Sequence, residues 1–124
     1  MPRKLLLIED EDDIREVTRV SLLLTQGWTV VTANGGADGA RLALAMEPEA
    51  ILLDVMMPEV DGPSTLRLLQ QQEATRSIPV IFLTAKVQAA DRQRFLQLGV
   101  RGIIHKPFDP LILGQAIKDI LSWP

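Results

Sequence analysis

Five short apolar runs, each followed by a longer amphipathic stretch, constrain the fold of this chain more than any other feature of its sequence. The runs lie at residues 5–8, 29–32, 50–53, 80–83 and 102–104. Strand-length runs alternating with helix-length stretches predict β-α units wound around a parallel sheet. The runs at 50–53 and 80–83 are continuously apolar, as expected of strands covered on both faces. The run at 29–32 is more polar and predicts a strand at the sheet edge. The run at 102–104 is the shortest.

Helix signals fill the gaps. Ile14, Val17, Ser21 and Leu24 recur at helical spacing, with Gly27 as a stop. Ala37, Ala40 and Leu44 do the same after Asn34, and Pro48 closes that stretch. Leu66 and Leu69 mark a third helix running on from Pro63. A fourth covers 87–98, with the least regular period, and ends at Gly99. Leu113, Ala116, Ile117, Ile120 and Leu121 form the clearest stripe. Asp109-Pro110 is expected to open that fifth helix as N-cap and first helical residue.

Crossovers between parallel strands are right-handed, so five such units predict an α/β three-layer doubly wound sandwich whose ligands sit at the carboxyl ends of the strands. The 124 residues suit one domain, 1–124, either complete or a piece of a longer protein. With 47% hydrophobic residues the chain can bury a core without staples, and the lack of cysteine removes disulfides, thiolate catalysis and zinc-thiolate sites. A net charge of −3 argues against direct nucleic-acid binding. No apolar run approaches bilayer length, and the N-terminal residues lack the pattern of a signal peptide. The expected setting is cytoplasmic, without membrane insertion.

The residues expected at the strand ends carry the chemistry. Glu9, Asp10, Glu11, Asp12 and Asp13 follow the first run, Asp54 the third, Thr84 the fourth and Lys106 the fifth. Taken one at a time, each has an ordinary reading. Acids that open a helix favour its positive dipole end, which accounts for Glu11, Asp12 and Asp13. Asp54 suits a solvated turn, Thr84 a strand end or cap, and Lys106 a surface. Together in one crevice they fit phosphoryl chemistry. Carboxylates from Glu9, Asp10 and Asp54 suit Mg²⁺, and a carboxylate can act as nucleophile. An ammonium and a hydroxyl would stabilise charge on the transferred oxygens. A glycine-rich phosphate loop is absent, so no bound nucleotide is suggested.

Leu5-Leu6-Leu7-Ile8-Glu9-Asp10, Leu52-Leu53-Asp54-Val55-Met56-Met57-Pro58 with Asp61-Gly62, Pro79-Val80-Ile81-Phe82-Leu83-Thr84-Ala85, and Leu98-Gly99 with Lys106-Pro107-Phe108-Asp109 span nearly the whole chain. In this order and spacing they resemble the receiver domain of bacterial two-component response regulators, the CheY-like family. The resemblance implies a flavodoxin-like sheet of order 2-1-3-4-5 with five helices. It implies that Asp54 accepts a phosphoryl group from a sensor histidine kinase or a histidine phosphotransfer protein, with small phosphodonors also able to serve. It further implies Mg²⁺ held by Glu9, Asp10, Asp54 and the backbone carbonyl of Met56, Thr84 swinging toward the phosphoryl group, Lys106 pairing with it, and a cis Lys106–Pro107 bond. Such a domain is a phosphoacceptor switch, not an enzyme with a separate substrate, and it catalyses only its own phosphorylation and dephosphorylation. Its output runs to a downstream protein through the fourth helix, fifth strand and fifth helix.

Two departures from the pattern carry expectations. Ile103 stands where the family commonly has Tyr or Phe, so aromatic rotamer switching is not expected there. Val100-Arg101-Gly102 lacks the acids through which one DNA-binding branch dimerises by charge pairs. Met56 and Lys86, two beyond Asp54 and Thr84, are expected to shape water access to an acyl phosphate. His105 is read as a surface loop residue, Met56 and Met57 as apolar cover, and Trp28 and Trp123 as partial packing residues. A pseudo-receiver that only binds partners is the first rival, disfavoured because Asp10, Asp54, Thr84 and Lys106 are all retained. A flavodoxin-like enzyme or flavin carrier is the second, disfavoured by five acids where its phosphate loop would be.

Overall fold

A computed structural model describes residues 2–86 and 88–124. Among them, strands and helices alternate as β1 (Lys4–Ile8), α1 (Asp12–Gln26), β2 (Thr29–Ala33), α2 (Gly36–Met46), β3 (Ala50–Asp54), α3 (Gly62–Gln70), α4 (Glu73–Arg76), β4 (Val80–Thr84), α5 (Ala89–Gln97), β5 (Gly102–His105) and α6 (Leu113–Leu121). The strands form one parallel sheet of order β2-β1-β3-β4-β5, which puts the more polar β2 at an edge as its composition requires.

Period-two alternation splits each buried strand between two cores. Leu6, Ile8, Ile51, Leu53, Phe82 and Ile103 face one side, where they meet Ala43 of α2, Leu66 and Leu69 of α3 and Phe95 of α5. Leu5, Leu7, Leu52, Ile81, Leu83 and Ile104 face the other, with Leu22 of α1 and Leu113 and Ile117 of α6. The result is the expected three-layer sandwich. Phe82 and Phe95 meet edge to face at 5.3 Å, which anchors α5 by its one buried side chain.

The helices differ from expectation in four respects. The first is an added helix: α4 follows α3, with the buried Thr75 hydroxyl donating to the Leu69 carbonyl at 2.6 Å. Second, the fifth expected helix, α6, begins at Leu113 rather than at Asp109-Pro110. Asp109 does act as a cap, but of a turn: its carboxylate accepts from the Leu111 N–H at 2.9 Å. Third, α1 buries Thr18 and Leu22 while Val17 and Leu24 stay exposed, so its inner face is rotated from the expected stripe. Fourth, α2 buries Gly36, Gly39 and Ala43; of the expected stripe, Ala40 packs partly buried against the core while Ala37 and Leu44 are exposed. The fourth expected helix is α5; Val87, its expected start, lies outside the described residues, as does Met1.

Candidate functional site

Because all five strands run the same way, their carboxyl ends share one edge, and the sheet order sets β3 between β1 and β4. Asp54 ends β3, Thr84 ends β4, Glu9 and Asp10 follow β1, and Lys106 follows β5. The loop after β3 is drawn in tightly. The Gly62 N–H bonds the Val55 carbonyl at 2.9 Å, and a Cβ at Gly62 would lie 2.7 Å from the Asp54 carbonyl oxygen, so only glycine fits that approach. Asp61 then caps α3 by accepting from the Ser64 N–H at 2.8 Å.

The structure brings four of the expected side chains together. Carboxylate oxygens of Glu9, Asp10 and Asp54 all lie within 4.8 Å of one another. The Lys106 ammonium donates to Glu9 Oε1 at 2.5 Å and to Asp54 Oδ1 at 3.1 Å, closing contacts between residues 97 and 52 positions apart. Lys106 follows a short buried strand and precedes a cis peptide bond to Pro107. Glu9 is fully buried and Asp54 is 3% exposed. Two backbone donors add to the cluster: the Glu11 N–H to Glu9 Oε2 at 3.2 Å and the Met56 N–H to Asp54 Oδ1 at 3.4 Å.

Other residues stand nearby in different roles. The buried Thr84 hydroxyl accepts from the Lys86 N–H at 3.0 Å, which leaves its own proton free to donate. Met56 is exposed and Met57 buried, so only the second is core packing. His105 is exposed at the end of β5, and Ile103 is buried on the α2–α3–α5 side. Arg15 was not visible as a site residue in the sequence. Its guanidinium donates to the Glu9 carbonyl at 2.9 Å and also pairs with Asp12. A basic residue three places after an acid at a helix start was the available signal.

Three carboxylates facing one ammonium leave the pocket short of positive charge. Burial pushes Glu9 up to about 7, against the pull of Lys106 and with the help of neighbouring Asp54. Burial also raises Asp54, opposed by Glu9 and Lys106. Burial works against the Lys106 ammonium, but Glu9 and Asp54 outweigh it and hold that pKa above the usual lysine range. Oxygen-only donors with excess negative charge are the donor set that a hard divalent cation takes.

Comparisons with known proteins bear on the family and the fold. The sequence pattern of the response regulator receiver domain matches residues 5–118. The alkaline phosphatase synthesis transcriptional regulatory protein PhoP of Bacillus subtilis is 34% identical over 121 residues, covering 98% of this chain and 49% of the relative. The phosphate regulon transcriptional regulatory protein PhoB of Klebsiella pneumoniae is 38% identical over 122 residues, covering 98% and 52%. The chain thus spans about half the length of the curated relatives it matches. Among solved structures, the chemotaxis protein CheY4 of Vibrio cholerae superposes with a TM-score of 0.88 at 25% identity, covering 97% of this chain and 99% of that one. The receiver domain of a sensor histidine kinase from Pseudomonas aeruginosa PAO1, solved with a magnesium ion coordinated in its active-site cleft, superposes with a TM-score of 0.85 at 30% identity, covering 98% and 99%. On this match of sequence and fold, the chain belongs to the response regulator receiver domain family, the CheY-like signalling domains of two-component systems.

Proposed function

We propose that this domain accepts a phosphoryl group on Asp54 from a phosphohistidine of a sensor histidine kinase or histidine phosphotransfer protein. The observation that carries the reading is the Lys106 ammonium seated between Glu9 and Asp54, at 2.5 and 3.1 Å. An Asp54 carboxylate oxygen attacks phosphorus, the P–N bond of the donor breaks as the P–O bond forms, and the departing imidazole nitrogen keeps the electron pair and takes up a proton. Lys106 pairs with the transferred oxygens, and Thr84 turns its free hydroxyl proton toward them. Glu9, Asp10, Asp54 and the Met56 carbonyl hold Mg²⁺, which when bound neutralises charge on the phosphoryl group. The buried, under-neutralised carboxylates are what such a cation fits. Hydrolysis of the acyl phosphate is self-catalysed, with Met56 and Lys86 shaping the approach of water. Equal dephosphorylation rates in the wild type and a Met56/Lys86 double substitution would count against that role.

The rest of the reading concerns partners. The output face is α5, β5 and α6, the fourth helix, fifth strand and fifth helix of the sequence reading, and it engages a downstream protein in the cytoplasm. Phosphorylation shifts a population already sampled toward the active state. With Ile103, buried in the core, at the usual aromatic position, either the helix and loop move without an aromatic rotamer change or the coupling is weaker. For the domain itself we propose no direct nucleic-acid contact, on the strength of its net charge of −3. A curated relative named as a DNA-binding regulator, RpaA of Synechocystis, is matched over 44% of its length. No described helix is long and apolar enough to cross a membrane.

The test is intact-mass measurement after incubation with a small phosphodonor and Mg²⁺, for the wild type and Asp54→Ala. One phosphoryl adduct on the wild type and none on the variant is the expected outcome. A wild type that stays unmodified with a range of donors supports the partner-binding rival. An adduct that persists in Asp54→Ala moves the acceptor to another residue.

A further inference from the structure

The turn between β1 and α1 carries two of the three clustered carboxylates, and its backbone is held in an unusual way. Glu9 closes onto the sheet through its N–H to the Ala33 carbonyl at 3.0 Å. Beyond that the chain must turn into α1 while carrying five consecutive acids, Glu9 to Asp13, that repel one another. One basic side chain reaches back across this turn. Arg15 donates through Nη1 to the Glu9 carbonyl at 2.9 Å and pairs through Nη2 with the Asp12 carboxylate. Its side chain is 18% exposed, so it is mostly covered, unlike the largely exposed Arg41 and Arg94 side chains in their i,i+3 pairs with Asp38 and Asp91.

We propose that Arg15 is a positioning residue for the acidic cluster: its two arms grip the turn at both ends, Glu9 and Asp12, and so hold the Glu9 and Asp10 carboxylates where they converge with Asp54. A guanidinium suits this because its donors diverge in a rigid plane, whereas a lysine ammonium is a single point that cannot hold both ends in the same geometry. The inference rests on the reading of the cluster as a divalent-cation site. Outer groups that orient metal ligands typically matter by 10–100-fold in affinity.

The ordinary alternative is a helix-start ion pair with Asp12, and it predicts the opposite sign. Were Arg15 only a nearby positive charge, its removal would lower the repulsion felt by an incoming cation and tighten binding. A positioning role means that removal weakens binding. Mg²⁺ titration by calorimetry on the wild type, Arg15→Gln, Arg15→Lys and Asp12→Asn distinguishes the two. Thermal melts establish that each variant is folded, and amide hydrogen exchange at Glu11 without metal supplies the second readout. The Glu11 N–H bonds Glu9 Oε2, so its exchange follows the order of the turn.

Roughly tenfold weaker Mg²⁺ binding in Arg15→Gln is expected, with a comparable loss in Arg15→Lys, faster Glu11 exchange in both, and a smaller effect in Asp12→Asn. Mg²⁺ binding by Arg15→Gln that equals or exceeds the wild type overturns the proposal, as does full rescue by Arg15→Lys. If Arg15→Gln does not fold, Arg15→Lys and Asp12→Asn decide the matter by the same criteria. A wild-type chain that binds no Mg²⁺ overturns the cation-site reading itself, a result distinct from equal binding in both proteins.

Discussion

The two edges of the sheet each gather charge from distant parts of the chain and settle it in opposite ways. At the amino edge the Arg3 guanidinium pairs with Glu49 at 3.1 Å, and the Lys4 N–H donates to the same carboxylate at 3.0 Å. Arg3 also lies 3.8 Å from the centroid of Trp123, which meets Trp28 edge-on at 5.5 Å. One anion meets one cation, part of each is open to water, and the aromatic rings seal the rest. At the carboxyl edge, Glu9 and Asp54 are buried and share a single ammonium with Asp10 nearby. Natural domains tolerate such a destabilised arrangement where function needs it. The difference between a closed floor and an unfinished roof singles out the carboxyl edge, independently of any motif, as the end where the proposed cation would relieve unbalanced charge.

The largest effect expected from this contrast is a pH dependence that belongs to the roof alone. Glu9 titrates near 7 in the folded chain against an ordinary value of 4.5. Between those values the native state binds more protons than the unfolded state, so metal-free stability falls as pH rises from about 4.5 to 7. The full loss is at most about 3 kcal/mol by linkage, and chemical denaturation across this window should show it in the wild type and a much flatter curve in Glu9→Gln. A pH-independent wild type would mean that Glu9 is already neutralised by Lys106.

A slightly smaller effect comes from adding the cation. Mg²⁺ at a hundredfold excess over its Kd should stabilise the fold by about 2.7 kcal/mol at pH 8 and by less at pH 5.5, where Glu9 holds a proton. Identical melting shifts at both pH values would place the cation away from Glu9.

The smallest effect belongs to the floor. Arg3→Ala should cost about 1 kcal/mol or less, since it removes a half-exposed ion pair and one cation–π contact, and part of that cost should fade in high salt. A loss comparable with that from the roof would break the comparison.

Much of this division was readable in the sequence because parallel β-α order carries position as well as structure. Once 5–8, 50–53 and 80–83 are strands, the residues that follow them must share an edge, so Glu9, Asp10, Asp54 and Thr84 could be grouped before any coordinates. The faces of the helices were harder. A stripe sought among apolar residues misses Thr18 of α1, a polar residue that is nonetheless buried. In α2 the inner face is Gly36 and Gly39, chosen for closeness rather than hydrophobicity. A Cβ at Gly36 would fall 2.1 Å from Thr65 Oγ1, and one at Gly39 would fall 2.4 Å from Ile8 Cδ1. Asp109-Pro110 shows a further limit. The carboxylate caps the N–H two residues on in either case, and that local bond does not decide whether a turn or a helix follows. Arg15 escaped notice because its spacing from Asp12 marks only a helix-start ion pair, while its second partner, the Glu9 backbone carbonyl, leaves no mark in residue identity.

The aromatic seal at the floor has an optical consequence. The chain has two tryptophans, and both lie in that seal, at the far end of strands whose five residues span roughly 16 Å. Neither ring can be quenched by direct contact with a phosphoryl group or a cation at the roof. A change in native emission on phosphorylation would therefore time the arrival of the signal at the end of α6, giving a clock for transmission that is separate from the clock for chemistry.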